Sequence, residues 1–147
     1  IHGIMPLIYG KKGNKYLISS ESICQQSLEY SELKNVENGE MIIFRKDGLI
    51  KKIKYEENSV YTPCIFEYIY ISRCESVIDK VSVYLARVKM GKYLAYNLRE
   101  SLGDKLNDID YVVPIPDTSR PSAIVVSKIL NIPYYEIITK NIKKVQN

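Results

Sequence analysis

Over the first 55 residues the apolar positions come in short, strand-length runs broken by glycine, asparagine and aspartate, the pattern of an antiparallel β region. Residues 6–10 predict a strand, 11–14 a turn and 15–19 a second strand, and residues 21–28 predict a short helix capped by Ser20. Asn38 and Gly39 mark a turn, 41–44 a strand, Asp47 and Gly48 a tight two-residue turn, and 49–55 the returning strand with Leu49, Lys51, Ile53 and Tyr55 on one face. After a polar link at Glu56, Glu57, Asn58 and Ser59, the run Ile65, Phe66, Tyr68, Ile69, Tyr70, Ile71 is apolar and aromatic. Such a run predicts a buried packing strand, in which Phe66→Ala would cost about 3 to 5 kcal/mol.

Residues 82–102 carry the clearest helical period, with Val83, Ala86, Met90, Tyr93 or Leu94, and Asn97 or Leu98 on one stripe and Gly103 as the stop. Residues 111–115 then predict a strand, 121–130 a helix with Ala123, Val126, Ile129 and Leu130 inward, and 134–139 another strand. Strand, helix, strand at this spacing is a βαβ unit, whose parallel pairing implies a right-handed crossover. The fold class expected is therefore α+β, antiparallel in the first part and α/β with a parallel sheet in the second.

Between the strand at 111–115 and its helix stand Pro116, Asp117, Thr118, Ser119 and Arg120. Pro114 and Pro116 end the strand by removing amide donors, and Pro121 falls where a first helical residue has no intrahelical partner for its amide. A polar loop between a strand end and a helix N-terminus favours phosphate through backbone amides and the helix dipole, and Asp117 or a hydroxyl could reach a divalent metal. The same residues read equally as an ordinary strand-to-helix connection in which Ser119 or Ser122 caps the helix.

Composition excludes more than it identifies. With 46% hydrophobic and 26% charged residues the 147-residue chain has a globular balance, large enough for one domain or pieces of two. The net charge of +4 comes from 16 lysines and 5 arginines spread along the chain, and the aromatics lie in buried-type runs, so no nucleic-acid surface is expected. Cys24, Cys64 and Cys74 stand at no metal-ligand spacing, and three cysteines do not close a disulfide framework. His2 is the only histidine, and neither a Cys/His zinc site nor a Ser/His/Asp triad is expected. No run reaches the roughly 20 apolar residues of a membrane span, so a cytoplasmic, reducing compartment is expected. The chain lacks an initiator methionine and ends in polar sequence, as an excerpt of something longer would.

Pro114, Ile115, Pro116, Asp117, Thr118, Ser119 and Arg120 resemble the pyrophosphate loop of the amidophosphoribosyltransferases, the glutamine phosphoribosylpyrophosphate amidotransferases that open purine biosynthesis. In the family's order, Gly3, Ile4, Pro6, Leu7 and Ser20, Glu21, Ser22 look like its late glutaminase domain. Pro63, Cys64, Ile65, Phe66, Glu67, Tyr68, Ile69, Tyr70 look like its domain junction, and Ser82, Val83, Tyr84, Leu85, Ala86, Arg87 with Met90, Gly91 look like the helix that follows. Arg73, Cys74, Glu75, Ser76 depart from the family's Arg, Pro, Asp, Ser, and Ile142, Lys143, Lys144, Val145 replace the continuation of its closing loop after Lys140 and Asn141.

The resemblance implies the C-terminal half of an N-terminal-nucleophile glutaminase domain over residues 1–60, an interdomain segment over 61–76, and the first part of a type I phosphoribosyltransferase domain over 77–147. It implies an enzyme, a glycosyltransferase that uses glutamine and phosphoribosyl pyrophosphate as a homo-oligomer, with Thr118 on the Mg²⁺ side and Pro116, Asp117, Ser119 and Arg120 around the pyrophosphate. No catalytic residue is expected in this chain, since its cysteines are internal and lack the α-amino group that serves as base. The family's adjacent aspartate pair is also missing, so the chain alone is expected to be inactive. Tyr70 corresponds to a residue on the ammonia path. Cys64 falls where iron–sulfur members place one ligand, but members without a cluster carry cysteine there too, so no cluster is expected. The competing class is a non-catalytic phosphoribosyltransferase-like module that binds a nucleotide or pyrophosphate.

Overall fold

A computed structural model describes residues 2–140. They form two compact units, one ending at Val83 and the other beginning at Tyr84.

In the first unit, β1 (Ile8–Lys12) is the central strand of a three-stranded antiparallel sheet, flanked by β2 (Lys15–Ser19) and β3 (Ser31–Asn35). β1 runs into the segment expected to be a turn, which is confined to Gly13 and Asn14, and Gly13 supplies the positive φ of 58° that the reversal needs. β3 was not foreseen, because Ser31, Glu32, Leu33, Lys34 and Asn35 are poor strand formers; pairing to β1 holds them.

Helix α1 (Ser22–Ser27) is shorter than expected, and Ser20 does not cap it. The cap position falls to Glu21, and the hydroxyl of Ser19 instead donates to the Glu21 carbonyl at 2.7 Å and to Gln25 Oε1 at 2.8 Å. Gln25 is fully buried and satisfied, its Nε2 donating to the Ile8 carbonyl at 3.0 Å. Ile8 and Tyr9, each 3% exposed, fill the core beside it.

β4 (Glu40–Phe44) and β5 (Ile50–Lys54) form the predicted hairpin. Its connection is wider than two residues: Phe44 pairs with Ile50, and the Arg45 amide donates to the Leu49 carbonyl at 3.0 Å. Phe44 meets the rings of Tyr9 and Tyr16 at 5.5 and 4.9 Å, joining this hairpin to the first sheet. β6 (Val77–Ile78) and β7 (Val81–Ser82) close the unit around Asp79 and Lys80, both at positive φ.

The run at 65–71 is not a buried strand. Glu67–Ile71 is a π-helical turn, with Phe66 58% and Tyr70 68% exposed. A helical turn sends consecutive side chains in different directions, so it is the polar Glu67 and Ser72 that face inward, the serine hydroxyl donating to Glu67 Oε2 at 2.9 Å.

α2 (Val83–Leu102) has the predicted length, but its buried stripe is Val83, Arg87, Gly91 and Ala95, while Tyr93 and Leu94 are exposed. In the second unit α3 (Arg120–Leu130) lies against that stripe. A Cβ on Gly91 would meet the Ser122 carbonyl oxygen at 2.6 Å, so only glycine admits this approach, and Ser122 Oγ donates to the Arg87 carbonyl at 2.8 Å. The expected strands at 111–115 and 134–139 are reduced to one parallel bridge, Val112 with Tyr134. The Val112 amide donates to Pro133 and its carbonyl accepts from Tyr135, at 2.8 and 3.1 Å. Pro114, Pro116 and Pro133 have no amide hydrogens, which is why the ladder goes no further. Residues 142–145, where the sequence departs from the family's closing loop, lie outside the described residues.

Candidate functional site

The parallel bridge sets the site. It brings the chain after Tyr134 alongside the loop after Val112, so the ends of both extended segments meet at the start of α3. Pro114 is buried, Pro116 half-buried, and the Pro116–Asp117 peptide is cis. Asp117 is exposed, whereas Thr118, Ser119 and Arg120 are half-buried.

Neither serine caps the helix. Ser119 occupies the cap position with αR backbone angles, and its hydroxyl donates to the Ile115 carbonyl at 2.6 Å, closing the loop on itself; Ser122 is engaged with Arg87. Among the described residues the amides of Asp117, Thr118 and Ser119 find no acceptor, and the Thr118 hydroxyl has no partner. Three consecutive donors, a hydroxyl and the positive end of an 11-residue helix therefore stand together, an arrangement suited to an anion with several oxygens.

Arg120 is held on two sides, Nη1 donating to Asp117 Oδ1 at 2.6 Å and Nε to Glu136 Oε1 at 3.1 Å. The Glu136 oxygen also accepts from the Tyr134 hydroxyl at 2.7 Å. That hydroxyl, and then Arg120, hold the Glu136 carboxyl below the usual range. The hydrogen bond to Glu136 raises Arg120 further, while burial, and then Glu136, push Tyr134 up. Glu136 and Tyr134 join the candidate site through Arg120 and were not read from the sequence; the rule that ligands gather at the carboxyl ends of parallel strands pointed to the second strand-like run that carries both.

The residues fit a Mg²⁺ ion in one way. Asp117 Oδ2 and the Thr118 hydroxyl are hard oxygen donors without partners among the described residues, but no group of three or more ligand-type side chains forms there. An ion that keeps waters and takes phosphate oxygens needs no more than this.

The other singled-out residues lie in the first unit. Cys64 is half-buried, its amide donating to the Ile4 carbonyl at 2.9 Å, and it lines a cavity of about 450 Å³ with Tyr61, Glu67, Tyr68 and Asp79. Tyr70 stands exposed on the π-helical turn.

Antiparallel sheets in one unit, and in the other a strand-end loop of unpaired amides opening a helix, define an α+β protein with a candidate anion-binding loop. No family model matches the chain. Curated relatives do: the chain is 39% identical over 145 residues to an amidophosphoribosyltransferase of Escherichia coli K12, and 36% identical over 149 residues to that of Saccharomyces cerevisiae. Each match takes in 95% of this chain, which spans 28% and 29% of those relatives' lengths. Among solved structures it is similar to the glutamine phosphoribosylpyrophosphate amidotransferase from B. subtilis complexed with ADP and GMP, with a TM-score of 0.81 and 33% identity over 97% of this chain and 30% of that one. A second, described as the allosteric regulatory enzyme of purine biosynthesis, gives a TM-score of 0.82 at 32% identity, covering 98% of this chain and 30% of that one. The chain is a homologue of a segment of the amidophosphoribosyltransferases.

Proposed function

We propose that this chain carries the pyrophosphate-binding part of an amidophosphoribosyltransferase, whose whole reaction displaces pyrophosphate from phosphoribosyl pyrophosphate with ammonia drawn from glutamine. The observation that carries the reading is the row of unpaired amides at Asp117, Thr118 and Ser119 opening α3. A leaving group with several negative charges is stabilised by donors fixed in place before the bond breaks, since they need no reorganisation as charge develops. Asp117 and Thr118 would hold Mg²⁺, which supplies charge neutralisation on the pyrophosphate when bound. Pro116 fixes the chain before the loop, and Ser119 closes the loop through Ile115.

The division that goes with this function is a partial glutaminase domain over 1–60, a connecting segment over 61–76 with Tyr70 toward the ammonia path, and a partial phosphoribosyltransferase domain over 77–147. Its setting is a cytoplasmic homo-oligomer with glutamine and phosphoribosyl pyrophosphate as substrates and no iron–sulfur cluster at Cys64. Among the described residues no helix is long and apolar enough to cross a membrane.

Thr118→Val tests the loop, because it keeps the side-chain shape and removes only the hydroxyl. Loss of a contact to a charged ligand is worth roughly 1.5 to 3 kcal/mol, or about 10- to 150-fold in affinity for phosphoribosyl pyrophosphate with Mg²⁺. Calorimetric titration of both proteins reads it, and equal affinities would withdraw the metal-side role of Thr118.

A further inference from the structure

Arg120 is the only cation among the loop residues 116–120, and its charge is already cancelled. Asp117 and Glu136 each bond it through a different nitrogen, leaving Nη2 without a partner among the described residues. Two carboxylates against one guanidinium give the group a formal charge of −1. The Tyr134 hydroxyl, and then Arg120, favour the charged form of Glu136. The three side chains are 38% to 58% exposed, so the clamp leaves Arg120 open to solvent while cancelling its attraction for anions.

Beside the unpaired amides, a free polyanion therefore also meets a side-chain cluster of its own sign. The same anion bridged by a divalent cation carries less charge and meets less repulsion. We propose that Glu136 is a specificity-determining residue: by cancelling Arg120 it makes the loop select the metal complex of a pyrophosphate-bearing ligand over the free anion. This rests on the pyrophosphate reading of the loop and deepens it. It also gives a reason for an arginine beside an anion site to be held by two carboxylates instead of presented bare.

Glu136→Gln separates charge from geometry, because the amide oxygen still accepts from Arg120 and Tyr134. Sodium pyrophosphate would be titrated calorimetrically into the 147-residue chain and into the variant, with excess Mg²⁺ and with a chelator. The chain is expected to bind the Mg²⁺ complex more tightly than the free anion. The variant is expected to bind the free anion about 3- to 10-fold more tightly than the chain does, with the complex changing less than about twofold, and added salt should shrink the gain. Arg120→Ala should move the preference the opposite way, toward the metal complex. A variant that changes both forms equally, or weakens both, overturns the inference and leaves Glu136 as a mere support for Arg120. A chain that binds pyrophosphate in neither form overturns the loop reading itself, a separate result.

Discussion

Among the described residues of the antiparallel unit, Glu40 and Lys52 form the least exposed ion pair, at 2.9 Å with the carboxylate only 10% exposed. Burial would raise the Glu40 carboxyl, but hydrogen bonds from Lys52 and from the Glu37 amide outweigh it and hold the group below its ordinary value. Lys52 is raised in turn, first by its bond to Glu40. A depressed carboxylate contributes stability above its unfolded pKa and loses it as pH falls through the folded value; a raised lysine contributes below its unfolded pKa and loses it as pH rises through the folded one. The pair should therefore stabilise the hairpin at neutral pH and cease to do so in acid. Lys52 is 45% exposed, so the contribution is modest, about 0.5 to 1 kcal/mol. Denaturant melts of the chain and of Lys52→Met at pH 7 and pH 3 should differ at the first pH and coincide at the second. A difference of the same size at both would remove electrostatics as the cause.

At the scale of elements, the contact between α2 and α3 depends on one missing side chain. The helical period over 82–102 is legible in the sequence, yet its phase is not. The large residues Tyr93 and Leu94 look like the inward choice, whereas Gly91 and Ala95 are the ones turned in. Small residues win because backbone-to-backbone approach brings more atoms into contact than one large side chain can, and sequence hydrophobicity does not register that gain. Gly91→Ala places a methyl 2.6 Å from the Ser122 carbonyl oxygen and 2.7 Å from its Cα, so the helices must part. Overpacking of this kind costs roughly 1 to 3 kcal/mol, more than alanine recovers through helix propensity. The thermal midpoint is expected to fall, and an unchanged midpoint would mean the helices are not so close.

Over the whole molecule, the apolar run at 65–71 shows how far hydrophobicity alone can mislead. In this structure Phe66 is 58% exposed, and the inward places on its turn belong to Glu67 and Ser72. Phe66→Ala in this chain should therefore change stability by no more than about 0.5 kcal/mol in a urea melt, not the 3 to 5 kcal/mol of a core ring. A loss near the larger figure would show that the ring is packed after all.

What the sequence determined by itself is local. Glycine, asparagine and aspartate punctuation placed the hairpins, the helical period and Gly103 set the extent of α2, and Pro114, Pro116 and Pro121 located the strand-end loop and the helix after it, because each signal is written within a few residues of its effect. Tertiary structure decided what pairs across distance. β3 exists because β1 offers it a ladder, α2 turns its small residues inward because α3 lies there, and Glu136 reaches Arg120 because one parallel bridge sets residues 112 and 134 side by side. None of these partners lies within a helical turn of the residue it fixes, so each depends on chain closure that the linear pattern does not encode.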